Sequence, residues 1–140
     1  MEKHVLIPKA VLETALYAPD LDAAAAFYEG ILGLTPIVRV QNRHVFYRLD
    51  TSVLLIFNPD ETEKATQNTT MPVPAHGAHG PGHLCFAATR TQIEGWRDIF
   101  AAHSIEIEAE FDWPNGARSL YIRDPAGNSI EFAEPRLWSI

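Results

Sequence analysis

One order of elements occurs twice in this chain, and that repeat constrains the fold more than any single motif does. "VLETALYA" (11–18) alternates apolar and polar residues as a half-buried strand does. Asp20 then stands as an N-cap, with Leu21, Ala24, Phe27, Tyr28, Ile31 and Leu32 at helical spacing and Gly33 as the stop. "TPIVRV" (35–40), "HVFYRL" (44–49) and "SVLLIF" (52–57) read as three strands. The order then returns. "HLCFAA" (83–88) is a strand, and a helix over 91–103 opens on the capping box Thr91-x-x-Glu94 with an apolar stripe of Ile93, Trp96 and Phe100. "IEIEAEF" (105–111), "ARSLYIR" (117–123) and "NSIEFA" (128–133) complete it, with Asp124-Pro125-Ala126-Gly127 as a type I turn. Turn placement supports the register: "RLD" at 48–50 answers "IRD" at 122–124, and "LLIFNP" ends at Pro59 as "IEFAEP" ends at Pro135.

Two βαβββ units, 11–57 and 83–133, are therefore expected within one domain of 140 residues. The fold class is α+β, with two curved mixed sheets related by a pseudo-twofold around a cleft. The crossover at 58–82 is polar, rich in Pro, Gly and Thr, and shows neither period. It reads as a long loop, of the length that tends to serve as a functional lid or a disordered crossover.

Charge and composition narrow the partners. A net charge of −7 gives no basic footprint for nucleic acid or an anionic membrane. The single cysteine, Cys85, excludes an internal disulfide, CxxC chemistry and a cysteine-rich zinc site. No apolar run approaches the roughly 20 residues of a membrane span, and no signal peptide is read at the start. A soluble cytoplasmic protein that acts on a small molecule is the expectation.

Three polar residues break otherwise apolar strands. Glu13 lies near the start of the first strand, His83 opens the first strand of the second unit, and Glu131 sits between Ile130 and Phe132 in the last. In the repeat register Glu13 and His83 are equivalent, and Glu131 has Leu55 as its counterpart. Any one of them alone is an ordinary strand-surface residue. Together in one cleft, two carboxylates and an imidazole call for a counter-charge, and a divalent cation supplies it through O, N and O ligands. Arg118, Tyr121, Arg39, Arg48 and Tyr47 are candidates to line a pocket for a polar or anionic substrate. Trp113 and Trp138 read as packing or interface residues. His76 and His79 read as solvated loop residues, a lid over the cleft being the other reading.

These segments resemble the vicinal oxygen chelate superfamily, which includes glyoxalase I, bleomycin-resistance proteins and extradiol dioxygenases. "PDLDAAAAFYEGILGL" is similar to its first helix, "GHLCFAA" to its His-bearing central strand, and "DPAGNSIEF" to its final turn and strand. The resemblance implies a fold of two βαβββ units and a divalent metal (Zn, Ni, Mn, Fe or Mg). It carries the metal ligands to Glu13, His83 and Glu131, with Glu13 standing where His or Gln is usual. It also implies that Glu13 and Glu131 are catalytic, and that chains of this size commonly form homodimers. Glyoxalase I has a further Glu on the fourth strand, where this chain has Leu54 or Leu55. The imidazole that ring-cleaving dioxygenases carry upstream is absent too, Asp112, Trp113 and Pro114 occupying that region. The implied function is a metal-dependent, glyoxalase-like lyase or isomerase acting on a small oxygenated substrate. A metal-free drug- or metabolite-binding protein comes second, and a ring-cleaving dioxygenase third.

Overall fold

The computed structural model describes residues 6–140, and within them the repeat is realised strand for strand. The first sheet comprises β1 (Glu13–Tyr17), β2 (Thr35–Val40), β3 (His44–Arg48) and β4 (Val53–Phe57), in the order β1-β4-β3-β2. The second comprises β5 (His83–Ala87), β6 (Ala109–Asp112), β7 (Arg118–Arg123) and β8 (Ser129–Ala133), in the order β5-β8-β7-β6. In each sheet the first and last strands run parallel and the other pairs antiparallel. β1 and β5 are therefore both edge strands.

Helices cover one face of each sheet. α1 (Leu21–Ala25) starts where the Asp20 side chain accepts a hydrogen bond from the Ala23 amide. It continues as a π-helical turn over Ala26–Ile31 and stops at Gly33, whose φ of +74° suits a residue without Cβ. α3 (Arg90–Ala102) starts two residues before the capping box expected at Thr91 and Glu94. Thr89 and Gln92 form the box instead, each side chain bonding the other's backbone amide. Either residue pair suits the motif, and the backbone turn at Thr89 decides. Gly127 closes the turn after β7 by donating to the Asp124 carbonyl. The strand read at 105–111 is shorter: only Ala109–Asp112 pairs with β7, and Ile105 and Ile107 pack on the core without joining the sheet.

The crossover is not structureless. Asn58 caps a short helix, α2 (Pro59–Thr62), and the chain then runs irregularly to β5.

The core lies on the helix side. Leu16, Val45, Tyr47, Leu54 and Ile56 of the first sheet and Leu120, Ile122, Ile130 and Phe132 of the second form one buried cluster with Phe27 and Tyr28, and with Ile93 and Phe100 of α3. Polar bonds tie the units together. The Tyr28 hydroxyl donates to Asp124 at 2.7 Å, and the Asn128 amide donates to the Tyr17 carbonyl at 3.1 Å. Because strand side chains alternate, this arrangement turns the other face of each sheet, with Glu13, Leu55, Cys85 and Glu131, away from the core. No helix among the described residues is long and apolar enough to cross a membrane.

Candidate functional site

Glu131 sits at the centre of its sheet. Its register partners are Cys85 on β5 and Tyr121 on β7, so these three side chains share one face. The residue is only 6% exposed. A carboxylate so buried is costly unless its oxygens are paired. One oxygen, Oε2, accepts a 2.6 Å hydrogen bond from the Ser119 hydroxyl, which in turn accepts from the Trp113 indole N–H at 2.8 Å. The other, Oε1, faces His83 Nε2 at 3.2 Å. Among the described residues no Lys or Arg pairs with Glu131, although such pairs abound elsewhere on this sheet, as between Arg118 and Asp112.

His83 is the exposed member of the pair. Its Nδ1 lies 3.2 Å from the Ser129 hydroxyl, and its ring stacks loosely on Tyr121 with centroids 6.3 Å apart. Both nitrogens thus have an orienting neighbour, the arrangement expected of an imidazole held for a ligand. Burial, and then a hydrogen bond to Glu131, push the Tyr121 hydroxyl up to about 12. Burial, and then the Glu131 charge, push the Cys85 thiol up to about 12. Both groups in this pit keep their protons at neutral pH. A divalent cation fits the donor set, since a lone-pair nitrogen and a shielded carboxylate oxygen point at each other with second partners behind both.

Glu13 is placed differently. It is exposed on β1, on the face shared with Ala15 and Leu55. It lines a separate cleft of about 400 Å³ with Ala15, Leu55, Phe57, Val73 and His76. Within the chain Glu13 does not join His83 and Glu131 in a set whose ligand atoms lie within 4.8 Å of one another; among the described residues Asp60, Glu63 and His79 alone do so, all exposed.

The other pocket candidates divide. Tyr121 faces the pit. Arg118 is engaged with Asp112 and Glu110, Arg39 pairs with Asp22, and Arg48 is exposed. Tyr47 is fully buried on the core side and donates to Glu29. Trp138 is exposed, whereas Trp113 buttresses Ser119. His79 pairs with Glu63 at 2.8 Å in solvent. His76 is half-buried against Tyr17. Ser119 and Cys85 escaped the sequence reading, although alternation with Leu120 and Ile122 on β7 does place Ser119 on the face of Tyr121.

Comparison with known proteins agrees with this architecture. A crystal structure of lactoylglutathione lyase from Agrobacterium tumefaciens superimposes with a TM-score of 0.90 at 46% identity, covering 95% of this chain and 98% of that one. A virulence protein from Salmonella typhimurium gives 0.67 at 26% identity over 92% and 98%. A glyoxalase/bleomycin resistance protein/dioxygenase from Nocardioides gives 0.70 at 21% over 93% and 86%, which speaks for the fold alone. Among curated proteins, none matches. The family model described as Glyoxalase/Bleomycin resistance protein/Dioxygenase superfamily matches residues 10–132, and the chain belongs to that superfamily.

Proposed function

We propose that the chain is a metal-dependent, glyoxalase-like lyase or isomerase acting on a small oxygenated substrate, and that its site is completed in a homodimer. The observation that carries this reading is the buried Glu131 carboxylate, which has no Lys or Arg beside it among the described residues and faces the His83 imidazole. A drug-sequestering pocket gains nothing from a shielded carboxylate of this kind, whereas a divalent cation would supply its counter-charge.

Glu13, His83 and Glu131 would hold the cation; Zn, Ni, Mn, Fe and Mg all suit one imidazole with two carboxylates. Bound there, the metal would polarise two adjacent substrate oxygens as a Lewis acid. The residues divide the remaining work. Ser119 fixes the orientation of Glu131, and Ser129 that of His83. Glu13, exposed and without a hydrogen bond among the described residues, would double as the base beside the metal, taking a proton from carbon next to a carbonyl and returning it one carbon away. Tyr121, protonated at neutral pH, faces the same pit as a donor to a substrate oxygen.

The position of Glu13 supports the homodimer. It stands on an edge strand with a free edge, as His83 does, and the two belong to different sheets. A C2 pairing that lays β1 of one protomer beside β5 of its partner would bring the partner's Glu13 to His83 and Glu131, twice per dimer.

The similarity to a lactoylglutathione lyase names a first substrate to try. Lactoylglutathione is a thioester of a 2-hydroxy acid, and its cleavage to a thiol and a 2-oxoaldehyde requires proton movement between adjacent carbons. The departure at Leu55 leaves the substrate class wider than that compound. The test is elemental analysis of the purified protein, with turnover of lactoylglutathione and, in the opposite direction, of 2-oxoaldehyde thiohemiacetals measured before and after chelation. Stoichiometric metal and turnover lost on chelation and restored by metal are expected. A metal-free protein whose ligand binding ignores chelators would instead establish the binding-protein reading.

A further inference from the structure

The cleft that holds Glu13 is otherwise nearly apolar. Leu55 stands at the repeat position of Glu131, and Phe57 and Ala15 extend the apolar wall. The crossover segment comes over this wall and brings one polar ring with it. The His76 amide donates to the Thr62 carbonyl at 2.9 Å, which anchors the backbone to α2. Its Nδ1 lies 2.7 Å from the Tyr17 hydroxyl. Its ring meets Phe57 edge-on, centroids 4.6 Å apart at 77°. Backbone, Tyr17 and Phe57 together leave the imidazole little rotational freedom. Its Nε2 makes no hydrogen bond among the described residues. A ring with one nitrogen engaged and the other open keeps one hydrogen-bonding site for a ligand.

We infer that His76 is a substrate-binding residue of this site and Tyr17 its positioning residue. The chemical class this selects is a compound with a small apolar substituent against Leu55 and Phe57 and an oxygen within reach of His76 Nε2. The choice of lactoyl compounds as probes rests on the glyoxalase-like reading; the role of His76 rests on the cleft. A mere fastening of the crossover by Tyr17 and His76 predicts a different result, since it would lower stability and leave affinity alone.

The experiment uses protein as purified and lactoylglutathione as probe. Imidazole nitrogen resonances are followed by NMR during titration, and KM and kcat are measured for the wild type, H76F, H76Q and Y17F. The expected result is a saturable shift of His76 Nε2 and a dissociation constant and KM about tenfold higher in H76F, the loss of one ligand hydrogen bond. In H76Q, which keeps a polar tip, part of that loss is recovered. Y17F gives an intermediate rise in KM, and kcat stays within about threefold throughout. Thermal melting confirms that each variant is folded. Unchanged affinity in a folded H76F, or a wild-type titration that leaves His76 Nε2 unmoved, overturns the inference. The binding arm does not require turnover, so an inactive or metal-free wild type would count against the proposed function while the His76 shift still decides this point.

Discussion

Replacing Ser119 with alanine tests the proposed metal centre through a residue that would not itself ligate. The hydroxyl donates to Glu131 Oε2 at 2.6 Å and accepts from Trp113 Nε1 at 2.8 Å. A hydrogen bond to a charged acceptor is worth about 1.5–3 kcal/mol, and outer-shell partners of metal ligands typically carry ten- to a hundredfold in affinity. Those two figures agree, because a factor of ten corresponds to about 1.4 kcal/mol. The substitution removes one oxygen, so cavity formation contributes little. The stability cost comes from two groups that lose a partner: the half-buried Trp113 N–H, at about 1 kcal/mol, and the buried Glu131 carboxylate, at about 1.5–3 kcal/mol in the metal-free protein. For a domain of this size the sum lowers the melting temperature by about 10–15 °C. Metal affinity is therefore read at a temperature where the variant is folded. Chelator-stripped wild type and S119A are titrated with Zn or Ni by calorimetry, alongside thermal melts. An affinity ten- to a hundredfold weaker in a folded protein is expected. Metal affinity within twofold of wild type in the folded variant would refute the claim that this hydrogen-bond chain holds Glu131 for a cation.

The shared-site dimer predicts complementation: E13A and E131A are each inactive alone, but after mixing and refolding together about a quarter of all sites are wild type and activity returns in proportion. Sites confined to single chains would give none. Cys85 is exposed but its thiol is pushed up to about 12, so iodoacetamide at pH 8 should label it markedly more slowly in native protein than after unfolding. Fast native labelling would contradict the environment drawn for Glu131. Tyr28→Phe removes a buried hydroxyl that donates to the Asp124 carboxylate across the two units, and urea unfolding should show a loss of about 1.5–3 kcal/mol. Hydrogen bonds from Arg97 hold Glu110 below the usual carboxylate range, and those from Arg118 do the same for Asp112. Their stabilisation is complete above the ordinary carboxylate pKa and is lost as pH falls through the depressed one. The acid limb of a stability–pH curve should therefore flatten in E110Q, and an unchanged limb would remove these pairs from the account.

Much of the fold was legible in the sequence because its signals are local. Asp20, Gly33 and the Asp124–Gly127 turn each dictate the backbone within a few residues, and period-two alternation marked seven of the eight strands to within two residues. β6 was the exception, since Ile105 and Ile107 alternate like strand residues yet owe their burial to the core and not to pairing. The same locality limits what could be read of the site. His83 and Glu131 are 48 positions apart and meet because β5 and β8 are parallel neighbours, which the repeat implies. Ser119 and Trp113 reach Glu131 through antiparallel register, which a serine in an alternating strand hardly advertises. The Tyr17–His76 contact depends on the path of an aperiodic crossover, and no pattern in the chain encodes that path.

The duplication also explains why two such similar sheets have unlike faces. Register makes Ala15, Phe46, Leu55 and His44 in the first sheet equivalent to Cys85, Tyr121, Glu131 and Ser119 in the second. One face is an aromatic wall in which His44, stacked on Phe46, keeps a buried Nδ1 without a partner and has its pKa lowered by burial and then by Arg43. The other is a polar pit around a carboxylate. A wall alone binds apolar groups without chemistry, and a pit alone exposes a charged pair to water. In the proposed dimer, setting one against the other would give a reacting centre with a dry flank, where electrostatic interactions strengthen as water leaves. A symmetric pair with a carboxylate at residue 55 would bury a second charge among Phe46, Phe57 and His44, at a desolvation cost that only the His44 imidazole stands near enough to offset. Leucine there removes that desolvation cost from the metal-free protein. It also leaves the first sheet's face dependent on Glu13, His44 and groups brought in by the crossover for its polar contacts.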